Sequence, residues 1–304
     1  MAATPSRCLS PAASNGGGQG AGASRLIAAA LGRIVAFIAF YVVCAAAAGY
    51  FLVPVLLRLM GWSGAGQRMG VEMYVELAAA IGATAIMVRS IDRRSWGAVG
   101  MDRTAARWRP LLFGWCVGTA AIGFTCVALA AAGLLHFVPA TTGASWIGAA
   151  VRVTLVLVAA ALAEEMIFRG YLLTVVKESV GARAAVVLTS GVFGLVHLTN
   201  PDATALSLAI VTLSGLLLAT VRLALDSLYA AFMTHLAWNW VMAVPLHAPV
   251  SGLHFESPGY EAVTTGPSWL SGGAWGPEGG LVAALGMLGG LAYFYYTRRR
   301  REES

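Results

Sequence analysis

Residues 147–168 read IGAAVRVTLVLVAAALAEEMIF, an apolar run that is interrupted only by Arg152 and by two adjacent glutamates near its end. About 20 such residues cross the hydrocarbon core of a bilayer as an α-helix. A strand would leave its backbone polar groups unpaired in lipid unless it belonged to a closed barrel, and barrel strands alternate apolar with polar residues. The stretch therefore predicts a transmembrane helix that carries charge into the membrane.

The composition of the whole chain indicates an integral membrane protein. Of its 304 residues, 58% are hydrophobic and only 11% are charged, and the mean hydropathy is +0.74. Soluble domains carry about 25% charged residues. These values exclude a disordered chain, a collagen-like rod and a small disulfide scaffold. The net charge is +6, and the basic residues that produce it flank apolar segments. Their placement indicates membrane topology and no nucleic-acid partner. The four cysteines show no metal-ligand spacing.

The apolar segments predict an all-α fold, a polytopic transmembrane helical bundle of about eight helices. Residues 1–24 are rich in Gly, Ser, Ala and Pro and are predicted to form a disordered tail, which leaves residues 25–304 as the membrane domain. The turn 199–202 (TNPD) breaks a helix, so the fifth and sixth segments are predicted to form a helical hairpin. The predicted segments are 34–57, 71–89, 111–135, 147–168, 184–199, 204–221, 227–245 and 280–297.

The basic residues predict the orientation of the bundle. With eight helices and a cytoplasmic N-terminus, 17 of the 20 Lys and Arg residues fall on the cytoplasmic side. This bias follows the positive-inside rule and predicts that both termini are cytoplasmic. The longest outer loop, residues 246–279, contains no Lys or Arg.

Three predicted helices carry polar side chains that are costly inside a membrane and so indicate a functional site. Glu164 and Glu165 are adjacent in the fourth helix, and Arg169 lies one turn beyond Glu165, where it can neutralise that carboxylate. This spacing leaves Glu164 free to act as a general base. The fifth helix places Phe193 one turn from a histidine, and the seventh adds a histidine and an amide on one face, which gives the further candidates His197, His235 and Asn239.

The depth of these residues allows two arrangements. Arg183 marks the inner end of the fifth helix, so His197 lies roughly 20 Å deep at 1.5 Å per residue. Glu164 reaches a similar depth only if the fourth helix continues to Lys177 and buries Arg169. The alternative is a shallow site near the cytoplasmic face.

The motifs EExxxR, FxxxH and HxxxN, in this order on successive helices, resemble those of the CAAX-protease and bacteriocin-processing family of intramembrane proteases. Here they are EEMIFR at 164–169, Phe193 to His197, and His235 to Asn239. The resemblance covers about residues 145–245. It implies an endopeptidase that hydrolyses a peptide bond in a membrane-associated or lipidated protein or peptide.

The resemblance also implies roles for the site residues. Glu164 with His197 would activate water, and His235 with Asn239 would stabilise the oxyanion, while Glu165, Arg169 and Phe193 would support them. Family members are also described as metalloenzymes, so metal dependence stays open. Zinc is then the candidate cofactor, with Glu164, His197 and His235 as candidate ligands. The helix motif HExxH of soluble zinc proteases is absent from the sequence.

Two other functions stay open at this stage. The same buried Glu and His residues would suit a transporter or channel, although no internal repeat supports it. A family member without catalysis would act as a scaffold or an immunity protein. The expected partners are membrane lipid and a membrane-associated peptide or protein substrate, and the oligomeric state is unknown. The expected location is a multi-pass position in a bacterial plasma membrane.

Overall fold

A computed structural model describes residues 17–141 and 145–303, and its architecture is a bundle of helices. Six helical stretches are long and apolar enough to cross a membrane. They are Ser24–Met60, Gly66–Ile91, Trp108–Ala131, Trp146–Val180, Ala182–Thr199 and Ala205–Ala224. The expectation of an all-α, multi-pass membrane protein is therefore confirmed. The number of eight spans and the cytoplasmic termini stay predictions.

The α-helices of the described residues follow one another along the chain. They are α1 (Gly17–Ala47), α2 (Val53–Met60), α3 (Ala65–Ala85), α4 (Trp108–Ala131), α5 (Trp146–Glu165), α6 (Leu173–Val180), α7 (Ala182–Val196), α8 (Ala205–Ala224), α9 (Leu228–Ala243), α10 (Ser268–Ser271) and α11 (Leu281–Glu302).

In the described part of the chain, three of the long stretches contain a π-helical turn, in which the backbone bonds reach one residue further than in an α-helix. One such turn, Ala48–Leu52, joins α1 to α2, whose second residue Pro54 cannot donate a backbone hydrogen bond. A second, Ile86–Ile91, follows α3 directly. The third, Met166–Leu172, joins α5 to α6 within the stretch that carries the paired glutamates. π-Helical turns often mark functional sites.

The α5–α6 stretch is much longer than a bilayer is thick. Its 35 residues span about 50 Å, against a hydrocarbon core of about 30 Å. Gly181, with φ of +84°, then turns the chain back into α7. Glu164 precedes this glycine by 17 residues and His197 follows it by 16, so the antiparallel helices bring both to one level. The helical stretch continues past Lys177 to Val180 and Arg169 is buried, as the first of the two arrangements considered above requires, while the depth of the site in the bilayer stays a prediction.

Helix α9 packs closely on α4 because two glycines of α4 face it. A Cβ atom at Gly114 would lie 2.3 Å from the carbonyl oxygen of Ala230, and one at Gly118 would lie 2.2 Å from that of Thr234. The Thr234 hydroxyl also donates to the Gly114 carbonyl at 3.0 Å. Small residues at such contacts let membrane helices approach, and here they fix the helix that carries His235.

A two-stranded antiparallel ribbon joins two of the connecting segments, where the sequence predicted no strand. β1 (Leu135–Thr141) pairs with β2 (Pro258–Thr264), with Leu135 opposite Thr264 and Thr141 opposite Pro258. The ribbon lies in connections between helices, which the periodicity of the apolar runs does not describe. It leaves the helical class of the fold unchanged.

The segment 246–279 folds against the bundle and does not extend from it as a solvated loop. Trp275 is 1% exposed, and the Asn200 amide donates to the Ser251 carbonyl at 3.0 Å. His247 is buried against Tyr260, and this burial lowers the pKa of its imidazole below the usual range. We call residues 246–279 the cap segment, because it covers the turn between α7 and α8.

The predicted N-terminal tail is described only in part. Residues 1–16 lie outside the described part of the chain, and α1 begins at Gly17, inside the range predicted to be disordered.

Candidate functional site

The centre of the candidate site is a buried chain of three side chains on two helices. Glu165 Oε1 accepts a hydrogen bond from Arg169 Nη1 at 3.1 Å and lies 3.0 Å from His235 Nδ1. The Glu165 and Arg169 side chains are 0% and 1% exposed. Because a carboxylate only accepts, the His235 Nδ1 carries the hydrogen, and Nε2 is left to face other groups. Glu165 therefore fixes the orientation of the imidazole.

Glu164 lies on the open side of this chain. Its Oε2 is 3.9 Å from His235 Nε2, and its side chain is 34% exposed. That oxygen has no hydrogen-bond partner among the described residues. Glu76 of α3 is close enough to Glu164 to interact with it electrostatically. Glu164 is thus partly exposed as a side chain, while its Oε2 is a buried oxygen that faces the His235 imidazole without a hydrogen bond.

Phe193 links the two halves of the site through its ring. The Arg169 guanidinium lies 4.0 Å from the ring centroid, a cation–π contact. The same ring lies 4.8 Å from the His197 ring and 6.1 Å from the His235 ring, and it meets Phe168 edge-on at 5.2 Å. Phe193 therefore packs between the guanidinium and both imidazoles and limits their relative movement.

His197 ends α7 and directs one nitrogen away from its own helix. Its Nδ1 lies 2.7 Å from the carbonyl oxygen of Phe193, so Nδ1 carries the hydrogen and donates. In the neutral ring, Nε2 is then an acceptor that can hold a water molecule. No hydrogen bond or ion pair joins His197 to Glu164 in the described part of the chain, so any link between them requires a bridging molecule.

A small cavity lies between these helices and the cap segment. Its volume is about 40 Å³, which gives room for roughly three water molecules. It is lined on the polar side by His197, His235, Asn239, Ser251 and Glu278, and Phe193 closes one wall. The cavity brings His197, His235 and Asn239 to one space, while Glu164 approaches it only through His235.

Glu278, Ser251 and Trp238 complete the cavity, and sequence analysis missed all three. Glu278 is 6% exposed. Its Oε1 accepts from the Ser251 backbone N–H at 2.6 Å and from the Ser251 hydroxyl at 2.9 Å, and its Oε2 accepts from Trp238 Nε1. One signal was present in the sequence: Glu278 is an isolated carboxylate between Pro277 and Gly279, just before an apolar helix.

The residues proposed as zinc ligands do not gather around a common point. Within residues 17–141 and 145–303, no three side chains of His, Cys, Asp or Glu are placed to hold a metal ion. His197 is separated from the pair of Glu164 and His235. The Nδ1 atom of each imidazole is engaged, which leaves each Nε2 free.

Comparison with known proteins gives one family match. The family model of type II CAAX prenyl endopeptidases, Rce1-like, matches residues 144–241. A search of curated proteins finds no match to the chain. The matched region holds all three motifs, from Glu164 to Asn239, and agrees with the core expected at 145–245. Glu278 lies outside it.

Proposed function

We propose that the protein is an intramembrane endopeptidase that uses a glutamate-activated water, on the premise that its residues 144–241 match the family model of Rce1-like type II CAAX prenyl endopeptidases. We propose that it acts as a multi-pass protein of a bacterial plasma membrane on a membrane-associated or lipidated peptide. The observation that supports the proposal most directly is a small cavity on which two imidazoles and an amide converge, with an unpaired Glu164 oxygen 3.9 Å from one of these imidazoles.

In the proposed reaction, a water molecule bridges the Glu164 carboxylate and the His197 Nε2. Glu164 takes one proton from this water, and the oxygen of the water bonds to the carbonyl carbon of the scissile peptide. Glu164 then returns the proton to the amide nitrogen as the carbon–nitrogen bond breaks. One carboxyl group and one amine are formed, and the enzyme is regenerated. A general base that works in this way must lie within reach of the water in the substrate complex.

The negative charge that develops on the carbonyl oxygen needs donors. Asn239 supplies an amide N–H, and His235 donates through Nε2 in its protonated form. The Glu165 carboxylate, 3.0 Å from Nδ1, stabilises that imidazolium and fixes its orientation. Donors preorganised around an oxyanion commonly contribute a factor of about 10² to 10³ to the rate.

The proposal is tested by cleavage of a library of membrane-anchored peptides in proteoliposomes, with products identified by mass spectrometry in water enriched in ¹⁸O. We expect the wild type to release fragments that carry one ¹⁸O in the new carboxyl group, and Glu164→Gln to release none. Glu72→Gln is the matched control, because Glu72 is on the surface in a pair with Arg68. Cleavage by Glu164→Gln at the wild-type rate would remove Glu164 from the role of base, whereas a wild type that cleaves no peptide would favour a transporter or scaffold.

A further inference from the structure

Glu278 is an anionic side chain in the cavity, and the reaction proposed above assigns it no role. It lines the same space as His235 and Asn239 but comes from the cap segment, outside the motifs. Its three hydrogen-bond partners are all donors: the backbone N–H and hydroxyl of Ser251, and the indole of Trp238. A carboxyl group that receives only donors is in its ionised, accepting form. The cavity wall therefore carries a negative charge.

No basic side chain of the described part of the chain forms an ion pair with this carboxylate. The ion pairs of the protein leave Glu278 out, and the cap segment contains no Lys or Arg at all. Arg169 compensates Glu165, and His235 lies within ion-pair distance of Glu164, whereas Glu278 has no cationic partner among the described residues. Its three hydrogen bonds stabilise the carboxylate without neutralising its charge, so the cavity is electrostatically suited to a cation that arrives from outside the chain.

The backbone around Glu278 is built to hold the carboxylate in place. Gly276 has φ of +111°, and a Cβ atom there would lie 2.2 Å from the Pro249 carbonyl oxygen. A Cβ atom at Gly280 would lie 2.2 Å from the Leu270 carbonyl oxygen. Only glycine fits at these two positions, so the turn carrying Glu278 is clamped on both sides. A group placed so rigidly can discriminate between ligands at low cost in ordering.

We propose that Glu278 is a specificity-determining residue that binds a basic side chain of the substrate next to the scissile bond. This inference rests on the proposed protease function, because the substrate must occupy the cavity beside His235 and Asn239. An ammonium head is similar in size to a water molecule, so it can replace one of the few waters for which the cavity has room. A carboxylate in the same place is repelled, so a free C-terminus or an acidic side chain is disfavoured there.

The test measures binding separately from cleavage. The protein carries Glu164→Gln, so that peptides stay intact, and is reconstituted in nanodiscs. The probes are fluorescent apolar peptides, each of which carries a single Lys, Gln or Glu. This residue is moved along the peptide, so that every position is tested with each of the three. At one position we expect Lys to bind at least tenfold more tightly than Gln, since hydrogen bonds to charged groups contribute about 1.5–3 kcal/mol. Adding Glu278→Gln should reduce that ratio to near one.

Trp238→Phe is the matched control, since it removes one hydrogen bond to Glu278 but keeps the negative charge. It should preserve the ratio of Lys to Gln binding, even where both peptides bind more weakly. If Trp238→Phe, with Glu278 intact, loses the preference for the Lys peptide over the Gln peptide, Glu278 acts only as an anchor of the cap segment. Equal binding of Lys and Glu peptides at every position to the protein with Glu278 intact would also overturn the proposal, without needing any Glu278 variant to fold.

The two proposals fail in different ways. If Lys-selective binding depends on Glu278 but the wild type cuts no peptide, the cation subsite stands and the protease function fails. If the wild type cuts peptides without regard to charge, the protease function stands and the cation subsite fails.

Discussion

Replacing Arg169 with methionine should destabilise the bundle much more than replacing both members of its ion pair. The guanidinium lies 3.1 Å from Glu165, and both side chains are essentially without solvent exposure. At an effective dielectric constant of about 20, two unit charges at this distance attract with about 5 kcal/mol. Removing one partner of a buried pair typically costs about 3–5 kcal/mol, because the other charge is left unpaired. We expect a loss in this range for Arg169→Met.

The double variant Glu165→Gln with Arg169→Met removes both charges and should recover most of that loss. The assay is reversible unfolding in mixed micelles of mild and denaturing detergent, followed by the fluorescence of the nine tryptophans. The exposed pair Arg68–Glu72 has the same i,i+4 spacing and is the control, since Arg68→Met should cost no more than about 0.5 kcal/mol. Equal losses for the two arginines, or strictly additive losses in the double variant, would refute this account of the buried pair.

Three further predictions concern packing and the oxyanion. Gly118→Val places a side chain against the backbone of α9 and should lower the free energy of unfolding by about 1–3 kcal/mol in the same assay. Gly123→Val is the control and should lower it little, because nothing lies within 4 Å of a Cβ atom at that position. Equal effects of the two variants would contradict the close helix contact. Phe193→Leu removes the ring beneath the Arg169 guanidinium and should cost about 2 kcal/mol in unfolding, a value near zero being incompatible with a desolvated cation–π contact. Asn239→Asp replaces a donor by an acceptor and should lower kcat at least about 100-fold with little change in KM, and an unchanged kcat would exclude Asn239 from the oxyanion role.

The sequence predicted the helical membrane fold because the determinants of that fold are local. Each apolar run is recognisable from its own residues, and the long α5–α6 helix is one of the two arrangements that the sequence left open. The contact of Glu165 with Arg169 also follows from i,i+4 spacing alone. The charge pattern on one helix was thus sufficient to predict which of the two glutamates pairs with Arg169.

The parts that could not be predicted depend on contacts between distant segments. Spacing on α9 shows that His235 and Asn239 share a face, but not that Glu165, 70 residues earlier, would orient the imidazole. The cap segment has mixed composition and no periodicity, so its inward fold has no local signature. Glu278 reaches the cavity only because Ser251 and Trp238 donate to it from 27 and 40 residues away.

The adjacent glutamates differ in function because a helix points neighbouring side chains about 100° apart. Glu165 points into the bundle, where Arg169 and His235 share its Oε1 and no water reaches it. Such a carboxylate can hold an imidazolium in place, but it cannot exchange protons with a substrate. Glu164 is one-third exposed, and its unpaired Oε2 lies 3.9 Å from the imidazole that its neighbour orients. In the proposed mechanism, one histidine therefore couples the fixed charge of Glu165 to the general base Glu164, and a single motif supplies both.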